Sequence, residues 1–250
     1  MTDQLPLPPA DLRFMGENDV DFAAIGDGIV ADMIELCALR ADAAVLDVGS
    51  GYGRVAHALR RRDFDGAYLG LEILSRHVEW CRAAITPASG GRFEFAHFDV
   101  HNARYNPDGS TPADEAAFDV ADGSVDVAVL TSVFTHMYAA EIERYLSELR
   151  RVLRPGGRAL TTFFALDETW RDAQLAGRGT IPMPHVLDAS CRYHNANDPL
   201  HAIGYTPTWI HGAVARAGLG IFATRLGAWC GREAGSGAQD TFVLERPTAA

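Results

Sequence analysis

Val45-Leu46-Asp47-Val48-Gly49-Ser50-Gly51-Tyr52-Gly53 is the stretch whose reading decides the fold. Ala43–Val48 is a short apolar run with β-branched Val45 and Val48, which suits a buried parallel strand. It runs into glycines at alternate positions, Gly49, Gly51 and Gly53, and a helix is predicted over Arg54–Arg62. A glycine lacks Cβ, so such a loop turns tightly and its backbone can approach a ligand closely. Strand, glycine loop and helix in this order open the nucleotide site of doubly wound α/β folds. An ordinary glycine-rich turn is the competing reading.

Outward from that stretch the chain alternates. Upstream, Phe22, Ile25, Ile29, Met33 and Leu36 recur at helical spacing and predict a helix over Asp19–Leu39. Before it, Leu12–Gly16 is an aromatic segment that either covers a ligand or packs on that helix. Downstream, a strand is predicted at Ala67–Leu71, with Glu72 at its C-terminal edge. Ser75 is placed to cap a helix running to about Ile85. Phe93–Phe98 is a third strand, closed by Asp99. Val100–Gly123 is longer than a usual connection, so it is either functional or mobile. Val125–Leu130 is a fourth strand. Ala139–Val152 is a helix with Ile142, Tyr145, Leu146, Leu149 and Val152 on one stripe, stopped by Pro155-Gly156-Gly157. Arg158–Phe164 is a fifth strand. Ala165–Tyr205 has no regular pattern and reads as an insertion or lid. Thr206-Pro207 starts a helix, and strands at Gly218–Leu226 and Thr241–Glu245 follow with a glycine-rich loop, Gly227–Gln239, between them. The alternation implies a mainly parallel sheet with helices on both faces, and the last two strands form an antiparallel pair at one side.

Composition narrows the partners. The chain has 250 residues, 48% of them hydrophobic, and no apolar stretch long enough to span a bilayer. The N-terminal residues do not read as a signal peptide. The four cysteines show no zinc spacing and read as reduced thiols of a cytoplasmic protein. A net charge of −11 disfavours a nucleic-acid partner. The basic clusters Arg60–Arg62 and Arg150–Arg154 read as solvated helix ends. The expectation is one domain over residues 1–250, with a helical cover at 1–40 and a lid at 165–205.

In such sheets the ligand sits beyond the C-terminal strand ends, where the glycine loop, Glu72 and Asp99 converge. A carboxylate after the second strand can accept from ribose hydroxyls, and one after the third can meet an exocyclic amine. The dinucleotide fingerprint is G-x-G-x-x-G, but here the third glycine, Gly53, falls one position early and Arg54 stands in its place. Asp47, just before the loop, would repel a pyrophosphate. Both departures favour a cationic ligand without a diphosphate. Val45–Gly53, Leu71-Glu72, Phe98-Asp99-Val100, Val125–Leu130 and Leu153–Gly157 together resemble the class I S-adenosylmethionine-dependent methyltransferases. The resemblance implies a Rossmann-like, doubly wound seven-stranded sheet with an antiparallel seventh strand, and S-adenosylmethionine over the glycine loop. It implies Asp47, Gly49 and Gly51 beside the methionine part, Glu72 at the ribose, Asp99 and Val100 at the adenine, Thr131 facing the cofactor, and Ser50 and Ile73 as further cofactor-binding residues.

Methyl transfer from a sulfonium is an in-line displacement that a protein promotes by holding the nucleophile in place. His136, in Ser132-Val133-Phe134-Thr135-His136-Met137, is the candidate base for a hydroxyl acceptor; a structural role is the competing reading. Trp229 and Arg232 on the late glycine-rich loop, and His185 in the insertion, are the candidate substrate residues. No histidine spacing suggests a metal. The expected reaction is methylation of a small molecule, at oxygen rather than nitrogen. A nicotinamide-dependent oxidoreductase and an inactive S-adenosylmethionine-binding protein are the alternatives. The cofactor motif also leaves an aminopropyl- or carboxypropyl-transferring relative open.

Overall fold

The computed structural model describes residues 5–12, 19–233, 235 and 237–248. Most of the Leu12–Gly16 segment lies outside them. The helix α1 (Asp19–Cys37) leads into β1 (Ala44–Val48), α2 (Arg54–Arg60), β2 (Ala67–Glu72), α3 (Ser75–Ala88) and β3 (Phe93–His97). After a long connection come β4 (Val125–Leu130), α4 (Ala139–Val152) and β5 (Leu153–Phe163). The segment 165–205 holds α5 (Glu168–Leu175), β6 (His185–Val186), β7 (Cys191–Asn195) and β8 (Asp198–Tyr205). The chain closes with α6 (Pro207–Arg216), β9 (Gly220–Arg225) and β10 (Asp240–Glu245).

Seven strands form one sheet in the order β3-β2-β1-β4-β5-β10-β9. The first five run parallel, and β10 is antiparallel to both β5 and β9. Alternate residues of each strand face opposite layers. Val45, Val127, Val129 and Leu160 pack with α1, α2 and α3 on one face. Leu46, Val48, Ala128 and Leu130 pack with the stripes of α4 and α6 on the other.

Several local expectations shift. Ser75 is the first residue of α3 rather than its cap; Leu74 holds the cap position, and its N–H donates to the Glu72 carboxylate at 2.9 Å. The strand β5 begins at Leu153, directly after α4, because Leu153 already pairs with Val125. The basic clusters are tied down. Arg61 and Arg62 both reach Asp27 of α1, at 2.8 and 2.6 Å. Arg151 donates to the carbonyls of Phe118 and Val120, and Glu148 accepts from the Phe118 N–H at 2.8 Å. These bonds pin the long 100–123 connection to α4. The 165–205 segment is regular after all: β6, β7 and β8 make a separate antiparallel three-stranded sheet. Among the described residues no helix is long and apolar enough to cross a membrane.

Candidate active site

Strand order reverses about β1, with β2 on one side and β4 on the other, and a crevice is expected at the C-terminal ends of those strands. A cleft does open there, enclosing about 940 Å3 when the space open to solvent is counted.

The glycine loop forms its floor. Gly51 has φ +55, and a Cβ built on it would meet nothing within 4 Å, so this backbone faces the open cleft. Gly53, at φ +86, is glycine for a different reason: a Cβ there would stand 2.5 Å from Cδ1 of Ile85, so its absence lets α2 settle against α3. Glu72 edges the loop. Its Oε2 accepts from the Gly51 N–H at 2.7 Å and its Oε1 from the Leu74 N–H. Burial pushes the Glu72 carboxyl up, and the backbone donors pull it back. An ionised carboxylate has about four acceptor sites, so lone pairs remain on the cleft side. Gly49, Ile73, Val100 and Thr131 line the same cleft.

Three expected cofactor residues do not lie on its wall. Asp47 belongs to the alternation that includes Val45, so its side chain drops to the α1–α3 layer beneath the loop. There it is 2% exposed and accepts from the Tyr68 hydroxyl at 2.6 Å, and burial pushes its carboxyl up to about 7. Ser50 turns towards β2, where a Cβ on Gly70 would come within 2.7 Å of its Oγ. Asp99 faces its own loop: it accepts from Ser110 Oγ at 2.6 Å and Asn106 Nδ2 at 3.3 Å, which hold it below the usual carboxylate range. Its neighbours Phe98 and Val100 are the ones on the wall.

His136 lines the cleft from a short 3-10 turn, Phe134–His136, after β4. Its Nδ1 lies 2.8 Å from the Leu200 carbonyl of β8. A carbonyl only accepts, so Nδ1 carries the proton and Nε2 the lone pair. Burial holds the imidazole below its ordinary pKa, hence neutral near pH 7. Asn102 Nδ2 donates to the His136 carbonyl, and the Tyr105 ring meets the imidazole edge-on at 5.4 Å.

The three expected substrate residues stand elsewhere. Trp229 is buried, packs on Phe164 and donates its Nε1–H to Asp240 at 2.7 Å. Arg232 joins Asp167 and Asp240 in ion pairs of 2.7 and 3.2 Å. His185 stacks on Tyr193 within the small sheet. None of them lines the cleft. Asp240 explains the first two, since a fully buried carboxylate must gather donors, and it also takes the N–H groups of Ala165 and Gly227. In their place the cleft has Arg54, Asn102, Tyr105 and Tyr145. Tyr145 sits on the α4 stripe that reads as pure core, and Asn102 and Tyr105 lie in a connection whose length was the only signal.

A family model described as a methyltransferase domain matches residues 46–161. The match, together with the seven-stranded sheet, identifies residues 46–161 as a methyltransferase domain. The methyltransferase shares its fold with a Pyrococcus horikoshii protein at TM-score 0.62 and 14% identity, over 92% of this chain and 93% of that one. A Methanosarcina mazei S-adenosylmethionine-dependent methyltransferase aligns at TM-score 0.57 and 18% identity, over 88% and 98%. The 1,6-didemethyltoxoflavin-N1-methyltransferase of Burkholderia thailandensis, solved with its acceptor and S-adenosylhomocysteine, aligns at TM-score 0.55 and 16% identity, over 92% and 80%. The antiparallel β10 between β5 and β9 is thus the seventh strand that the resemblance implied.

Proposed function

We propose that this methyltransferase methylates a hydroxyl group of a small molecule held in the cleft, with His136 as general base. The observation that carries the reading is the 2.8 Å contact between His136 Nδ1 and the Leu200 carbonyl, which leaves Nε2 as the proton acceptor. Residues on the cleft wall fit the cofactor. Gly51 presents backbone with no side chain in the way, and Glu72 has lone pairs for vicinal hydroxyls. In this reading Gly49 and Gly51 carry the methionine part, Glu72 and Ile73 the ribose, Phe98 and Val100 flank the adenine, and Thr131 faces the donor from the end of β4. When bound, S-adenosylmethionine supplies an electrophilic methyl group on a leaving group that needs no further activation.

The chain's own contribution is to orient the acceptor and move one proton. Phe98, Val133 and Met137 give the cleft apolar wall that excludes water. His136 Nε2 takes the hydroxyl proton as the oxygen becomes nucleophilic, a contribution of roughly 10²–10⁴ in rate. Asn102 fixes the backbone that carries the ring. The acidic net charge of −11 fits a small acceptor rather than a nucleic acid. The four cysteines are all buried and unpaired, which suits a reducing compartment, so the reading places the reaction in the cytoplasm. The Burkholderia relative is named for methylation at a ring nitrogen, so the fold itself is compatible with either atom.

The test is incubation with methyl-labelled S-adenosylmethionine and a metabolite extract, followed by mass spectrometry of the labelled product. The expected product is a methyl ether. Label found only on nitrogen, or a His136→Gln variant as fast as the wild type, would sink the proposal.

A further inference from the structure

We infer that Arg54 is the residue that reads the carboxylate of the donor, and that it selects S-adenosylmethionine over its decarboxylated form. The chain has no lysine, so apart from histidine every cationic side chain is an arginine, and Arg54 is the one arginine on the cleft wall among the described residues. Its Nη1 is buried and has no hydrogen-bond partner among the described residues. Arg61, Arg62, Arg151, Arg158, Arg225 and Arg232 all sit in ion pairs. Arg54 makes none among the described residues; its guanidinium lies 5.9 Å from the centre of the Tyr52 ring, a weaker contact that uses no N–H.

A buried guanidinium nitrogen without an acceptor is costly, and native structures keep such groups chiefly where a ligand or water completes them. The acceptor must be an anion of the right shape, and a carboxylate is the partner that a planar guanidinium fork recognises best. Charge on the surrounding wall agrees. Glu72 lines the cleft and Asp47 lies beneath the loop, close enough to Arg54 for the guanidinium to pull its carboxyl down. A cation on the wall beside the glycine loop, where the proposed reading puts the methionine part, matches the carboxylate of that amino-acid end. A donor without the carboxylate would leave Arg54 unpaired. Donors of that kind pass on an aminopropyl group, so Arg54 argues against aminopropyl transfer by a feature outside the glycine motif itself.

The inference concerns the donor and is independent of the acceptor. It is tested by calorimetric titration of the whole protein with S-adenosylmethionine, decarboxylated S-adenosylmethionine and 5′-methylthioadenosine, which lacks the amino-acid end. Arg54→Gln is expected to weaken S-adenosylmethionine binding roughly 10- to 100-fold while leaving the other two ligands within about twofold. Arg54→Lys, which keeps the charge but loses the fork, should fall between, and it serves as the readable variant should the glutamine protein fold poorly. Equal weakening of all three ligands, or undiminished S-adenosylmethionine binding in both variants, would overturn the assignment. Wild-type protein that prefers the decarboxylated donor would overturn it as well. A wild type that binds none of the three would refute the cofactor itself, which is a separate and recognisable result.

Discussion

Replacing Asp47 by asparagine isolates the energetic consequence of burying an acid beneath the glycine loop. The carboxyl is 2% exposed, and burial raises its pKa from 3.8 to about 7 against the pull of the Tyr68 hydroxyl and Arg54. A pKa raised on folding means that the folded state holds its proton more tightly than the unfolded chain does. The associated stability is therefore fully present below about pH 4 and is lost as pH rises through about 7. At about 1.4 kcal/mol per pH unit, the whole gap is worth about 4 kcal/mol, of which about 3 kcal/mol falls between pH 5 and pH 8. Asparagine keeps a carbonyl to accept from Tyr68 and never ionises. Urea denaturation of ligand-free wild type and Asp47→Asn across that range should show the variant gaining on the wild type by about that amount as pH rises. Curves that stay parallel, or a wild type that gains on the variant with rising pH, would refute the argument that this acid is held protonated by burial.

The two outer roles of the loop should separate by mutation. Gly51→Ala is expected to cost about 1–2 kcal/mol of stability for its left-handed backbone and to abolish cofactor binding by titration, because the methyl group enters the cleft. Gly53→Ala should instead cost several kcal/mol in thermal unfolding, since the new methyl meets Ile85 at 2.5 Å. His136→Gln is expected to lower turnover roughly 10²–10⁴-fold with little change in cofactor affinity. Because its pKa lies below the ordinary 6.5, the wild-type rate should stay level above neutrality and fall only in acid. Asp240→Ala should be among the most destabilising single changes, about 3–5 kcal/mol, with a shift in Trp229 fluorescence, because it leaves the Trp229 indole N–H and two buried backbone donors without an acceptor while Arg232 keeps only Asp167.

What was legible in the sequence follows from the range of the interactions involved. The strand Val125–Leu130 and the helix Ala139–Val152 match their expected bounds because each carries its own apolar pattern. Gly51 and Glu72 are readable as neighbours on one cleft because topology alone brings a βα loop and the next strand end together. Asp47 and Ser50 show the limit of that reasoning. Membership of a motif says which residues are near a ligand, but the two-residue alternation of β1 and the packing against Gly70 decide where each side chain points. The 165–205 segment was opaque because β7 reads Cys-Arg-Tyr-His-Asn with only its first residue buried, so no apolar period marks it as a strand. The substrate residues failed for a related reason. Placing Trp229 and Arg232 near the strand ends was sound, but nothing local reveals that Asp240 claims both from inside the fold.

The carbonyl that orients His136 belongs to Leu200, 64 residues further along the chain and beyond the 46–161 stretch that matches the family model. In the proposed reading, handling of the donor and tuning of the histidine are therefore encoded in separate parts of the chain. The small sheet that supplies Leu200 could be remodelled, and the ring's tautomer changed with it, without altering a residue of the glycine loop. A comparison confined to the shared stretch would see the same histidine in two enzymes and miss that only one of them has it set to accept a proton.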